Sequence, residues 1–173
     1  MYSICTSLNV CSFDTAKVLA RQSKDCLRSL VLRNQKSIDL QEVLESMPSL
    51  QVMKISKAII GQETLRLLAT GDIGAQLWEI AVGLSAEQDV VFDAWELLNM
   101  IQARQETANE EGSSVAFFHS VSFSIFHGHW KNITKDHKRK ANNLGKKYGI
   151  CISFWRLNYT SMELDMDKEF EED

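Results

Sequence analysis

Seven cations fall between His129 and Gly149 (Lys131, Lys135, Lys138, Arg139, Lys140, Lys146 and Lys147) against one acid, Asp136. Long cationic side chains gathered in one stretch suit a phosphate backbone, because each phosphate they neutralise releases condensed counterions. Trp130 stands beside Lys131 at the head of this stretch, where an indole can stack on a base while the neighbouring ammonium holds a phosphate. The same charges also suit a protein partner that bears acids, or a merely solvated face. The chain as a whole is acidic, with a formal net charge of −4, so the basic block stands out by its placement. It is followed closely by residues 161–173, where Glu163, Asp165, Asp167, Glu169, Glu171, Glu172 and Asp173 face a single Lys168. That tail is expected either to reach the cations and compete with an anionic ligand or to stay solvated and touch nothing.

Other chemistries find less support. His119, His127 and His129 would share one face of a regular strand, but Gly128 interrupts the last pair and no carboxylate ligand follows, so no metal site is expected. There is no G-x-x-x-x-G-K-[ST], G-x-G-x-x-G or G-x-S-x-G. Cys5, Cys11, Cys26 and Cys151 are scattered without C-x-x-C spacing and read as reduced thiols of a cytoplasmic or nuclear protein. No stretch of about 18 apolar residues offers a membrane span. These readings point away from catalysis and from any cofactor.

The elements that must hold the basic block follow from periodicity. Thr134 can cap a helix ending near Lys147, before Gly149. At about 100° per residue, His137, Ala141, Leu144 and Tyr148 share a narrow sector, with Lys135, Lys138, Arg139, Asn142 and Lys146 opposite and Lys140 and Lys147 on the flank. Before this helix, residues 115–127 alternate, with Val115, Phe117, His119, Val121, Phe123 and Ile125 on one side and Ser120, Ser122 and Ser124 on the other. That is the period of a strand. Residues 149–159, β-branched and aromatic, read as a second strand.

The region before residue 107 reads as helical. A short strand over Tyr2 to Val10 leads to an expected helix from Asp14 to Arg33, with Val18, Leu19, Cys26, Leu27, Leu30 and Val31 as its stripe, and then a helix from Ser37 to Met47 ended by Pro48. Leu50 to Ile60 is β-branched-rich and fits either a strand or a helical face, with helix ahead, and Gln62 to Thr70 and Ile73 to Val82 are read as helices parted by Gly71-Asp72. Ser85-Ala86-Glu87-Gln88 forms a capping box that opens a helix over 86–106. No internal repeat or low-complexity run is evident apart from the acidic end.

The expected architecture is therefore α+β, an N-terminal helical layer packed with a small C-terminal β-α-β unit. Its divisions are a mainly helical region with a short N-terminal strand (1–106), a linker (107–114), the β-α-β unit with the basic helix (115–160) and the acidic tail (161–173). The expected function is noncatalytic nucleic-acid binding through Trp130, Lys131, Lys135, Lys138, Arg139, Lys140, Lys146 and Lys147, with RNA ahead of DNA because no major-groove motif is present. The alternative is an oligomerising interaction or scaffold protein that meets acidic partners. Sheet edges or apolar helix faces are expected to support a homodimer.

Overall fold

Leu27, Leu50, Leu77 and Phe118 each stand three residues before a second apolar side chain and five before a third: Leu30 and Leu32, Met53 and Ile55, Ile80 and Val82, Val121 and Phe123. The first pair of each triplet has helical spacing and the second pair has strand spacing. In the computed structural model, which describes residues 7–23, 26–33, 36–85, 94–126 and 134–157, all four triplets end in parallel strands.

The elements in chain order are β1 (Ser7–Val10), α1 (Phe13–Ser23), β2 (Ser29–Leu32), β3 (Ile38–Asp39), α2 (Leu40–Ser46), β4 (Val52–Ile59), α3 (Gln62–Thr70), β5 (Glu79–Leu84), α4 (Ala94–Ala108), β6 (Ser120–Phe126), α5 (Lys135–Tyr148) and β7 (Cys151–Leu157). The described strands form one seven-stranded sheet in the order β1-β2-β4-β5-β6-β7, with the short β3 pairing β4, and every pairing is parallel. This corrects the expected helical layer packed on a small β-α-β unit. β2 lies at the end of the helix expected to run to Arg33, β4 replaces the helix expected over 50–60, and the one expected over 73–82 gives way to a turn followed by the start of β5.

The register explains the choice. Leu8, Leu30, Met53, Ile80, Val121 and Ile152 lie side by side across the sheet, and Val10, Leu32, Ile55, Val82, Phe123 and Phe154 form the next row. Stacking extends each buried pair into a continuous apolar row, which an isolated helix at the same positions would not. From Leu30 to Val121 and from Leu32 to Phe123 these side chains are at most 3% exposed. Burying one such side chain is worth about 1.5–3 kcal/mol, so the rows dominate the weak local preference for helix.

Strands in sequence order, joined by crossovers of one hand, place their helices on one side. The helices accordingly form a single layer in chain order. Lys17 pairs with Glu42 at 2.9 Å between α1 and α2, and the Thr64 hydroxyl donates to Gln41 at 3.3 Å between α2 and α3. Gln62 donates to Glu96 at 2.7 Å between α3 and α4, and Lys140 to Asn99 at 2.5 Å between α5 and α4. Phe13, Leu44, Leu68, Leu98 and Leu144, from the five helices, join the strand rows in one core.

Two buried side chains of α4 set where the later strands begin. Arg104, fully buried, donates to the carbonyls of Leu68 (3.2 Å), Gly74 (2.8 Å), Ala75 (2.8 Å) and Ala116 (3.0 Å), and its guanidinium lies 5.1 Å from the centre of the Phe118 ring. Gln105 donates to the Phe118 carbonyl and accepts from the Phe118 amide, both at 2.8 Å. Phe118 thus pairs its backbone with a side chain rather than a strand, and β6 starts at Ser120 instead of near Val115 as its alternation suggested. Gly71 ends α3 in the left-handed region, φ 81°, donating to the Leu67 carbonyl at 3.0 Å. A Cβ there would come within 2.5 Å of Val115.

Candidate binding surfaces

The basic helix forms as its periodicity predicts. Thr134 caps α5: the His137 amide donates to its hydroxyl, while the Thr134 amide donates to His137 Nδ1 at 3.0 Å. His137 and Leu144 are 5% exposed and face the core, with the His137 ring 4.5 Å from that of Trp95 on α4. Asp136 in the first turn and Lys146 and Lys147 in the last complement the helix dipole.

The cations of α5 are not equivalent. Lys135, Lys138 and Lys146 are exposed. Arg139 is exposed but pairs with Asp136 at 2.8 Å, and Lys140, half-buried, is tied to Asn99 and lies 5.5 Å from the Trp95 ring centre. The ammonium of Lys147 sits 4.6 Å from the Tyr148 ring centre, and hydrogen bonding with the Tyr148 side chain holds it above the ordinary lysine range. The array thus presents fewer outward cations than its sequence count. Trp130, Lys131, His127 and His129 lie outside the described residues. His119 is exposed, edge-on to Trp78 with ring centres 6.1 Å apart, and no group of three metal-binding side chains occurs among the described residues.

The second surface is the face of the sheet turned away from the helices. Between the buried rows, the register aligns Ser29, Val52, Glu79, Ser120 and Cys151 in one outward row and Val31, Lys54, Ala81, Ser122 and Ser153 in the next. These side chains are half-buried or exposed. The face thus mixes hydroxyls, an alanine, two valines, a cysteine and an ion pair, Lys54 to Glu79 at 2.7 Å. Across β2, β4, β5 and β6 it dips into a trough of about 320 Å³, whose walls include Arg33, Lys54, Ser56, Ala81, Ser122 and Ser124.

Sequence reasoning placed no function on this face. The serines of β6 were legible as its outer side, but Arg33, Lys54 and Ser56 lay in segments assigned to helix or loop. The repeated L-x-x-L-x-L triplet is the signal that would have put Lys54 and Ser56 on the outward parity. A third feature lies where β5 and β6 begin: Trp78 and Phe117, 38% and 37% exposed, flank His119 around a shallow depression.

No helix among the described residues is long and apolar enough to cross a membrane. In comparisons with known proteins, the chain matches no family model, no curated protein and no solved structure.

Proposed function

We propose that this chain is a noncatalytic binding protein whose open sheet face holds a partner polypeptide. The observation that carries this reading is the one-sidedness of the sheet among the described residues: its apolar rows are packed beneath five helices, and its opposite rows carry Ser, Ala, Val, Cys and the Lys54–Glu79 ion pair. All-parallel sheets ordinarily have both faces covered. A one-sided winding leaves a rigid platform whose backbone hydrogen bonds are already made, the arrangement that solenoid proteins use for binding. The recurring L-x-x-L-x-L spacing, of the kind found in leucine-rich solenoids, supports the same reading through the architecture it builds.

The test is positional. A photo-crosslinking residue in place of Ser122 should capture partner proteins, the same residue at Lys138 on the helical side should not, and Ala81→Arg, which fills the trough, should abolish the capture at 122. Capture at 138 with none at 122 would remove the reading. Self-association, where it occurs, is assigned to the end strands β1 and β7, whose outer edges are open to pairing among the described strands. The free thiols of Cys11, Cys26 and Cys151 support a reducing cytoplasmic or nuclear setting.

A second reading rests on a different observation, the segregation of Lys135, Lys138 and Lys146 onto the solvent side of α5. It assigns that helix to a polyanion, with RNA ahead of DNA. Binding isotherms for a duplex and a single strand across a salt series decide it, because phosphate contacts lose affinity steeply with salt.

A further inference from the structure

The trough on the open face has a definite chemistry. Among the described residues its two charged wall residues are both cations, Arg33 just past β2 and Lys54 on β4, and no carboxylate lines it. Glu79, which pairs with Lys54 at 2.7 Å, lies one outward row away and outside the trough. An ammonium has three donors, so Lys54 can keep Glu79 and still accept a second carboxylate. Arg33 is exposed; its amide is engaged with the Val10 carbonyl at 2.9 Å, which pins its backbone to β1. Ser56, Ser122 and Ser124 add hydroxyls that can donate to or accept from peptide groups, and Ala81 and Gly83 form a floor low enough for a main chain to approach.

Building on the reading of this face as a polypeptide-binding surface, we infer that the trough selects an acidic extended segment of a partner protein, with Arg33 and Lys54 receiving its carboxylates. The commitment to an acidic segment rests on charge complementarity, and the commitment to a polypeptide rests on the serine-lined length of the trough across four strands. The guanidinium fork suits a planar carboxylate, and the edges of the central strands are already paired, so recognition must come from side chains rather than from an added strand.

The experiment uses the full chain and two labelled octapeptides, one of alternating glutamate and alanine and the other with glutamine for glutamate, with binding followed by fluorescence anisotropy. The glutamate peptide is expected to bind at least tenfold tighter than the glutamine peptide at low salt. Arg33→Gln with Lys54→Gln should erase that difference, whereas Lys135→Gln, Lys138→Gln and Lys146→Gln together should preserve it. Thermal midpoints and circular dichroism establish that each variant is folded. Loss of the difference in the helix variant with retention in the Arg33/Lys54 variant overturns the inference, as does a single-stranded oligonucleotide that binds at the trough in place of the peptide. Equal binding of both peptides, with crosslinking from position 122, overturns acid selection while leaving a polypeptide-binding face. If neither peptide binds and position 122 captures no protein, that reading falls as well.

Discussion

Arg104 is the residue on which the middle of the molecule turns, because its guanidinium gathers carbonyls from Leu68, Gly74, Ala75 and Ala116 at one buried point. Replacing it with Met should destabilise the fold by about 3 kcal/mol, combining lost charge-assisted hydrogen bonds with imperfect refilling of the space. Arg104→Lys should recover less than half of that, since a compact ammonium cannot span four separated carbonyls. Urea unfolding measures both, and a Met variant within about 0.5 kcal/mol of the parent would show that the strut is dispensable. Burial pushes the guanidinium down to about 10. For a base with a depressed folded-state pKa, the cost of burying the charge is fully present below pH 10 and is relieved as pH rises toward the unfolded value. Arg104 therefore contributes no slope to stability between pH 6 and 9.

At the scale of the element, α5 separates a structural side from a charged side, and the two should respond to different substitutions. Thr134→Ala removes the cap on the His137 amide and the partner of His137 Nδ1 at 2.7 Å, and should cost about 1 kcal/mol in a denaturant titration. Replacing Lys135, Lys138, Arg139 and Lys146 together with Gln should leave stability within about 1 kcal/mol of the parent, since exposed charges contribute little. If α5 contacts a polyanion, that variant should also show weaker binding and a shallower salt dependence. Unchanged binding would clear α5 of that role.

For the whole molecule, a sheet in sequence order makes each unit depend chiefly on its neighbours, as in solenoids. Native-state amide exchange should then be slowest in β4, β5 and β6, which have partners on both sides, and faster in β1 and β7 at the ends. Uniform protection across all strands would contradict this picture. Charge acts at the same scale. Residues 161–173 carry a net −6 and residues 129–149 a net +6, so deleting 161–173 should tighten polyanion binding at low ionic strength, with the gain shrinking as salt screens the tail. An affinity indifferent to the deletion would mean that the tail does not compete.

Where a segment's own period was complete, the sequence was enough. The two faces of α5, the helix over 62–70 with Gly71 behind it, the body of β6 and the strand β7 were legible, α5 from fourteen residues of one helical period, β6 from its alternation, and β7 from its β-branched and aromatic content. The outward cations of α5 were legible for the same reason. Leu27-x-x-Leu30-x-Leu32, Leu50-x-x-Met53-x-Ile55 and Leu77-x-x-Ile80-x-Val82 were not, since each triplet is short, begins with helical spacing and recurs at unequal intervals as the intervening segments lengthen toward Phe118. Their strand identity comes from the neighbouring triplets, whose side chains complete each buried row only when the strands stand in register. The open face was decided at that level too, because whether Arg33, Lys54 and Ser122 meet across one trough depends on register between segments, a property that no single segment carries.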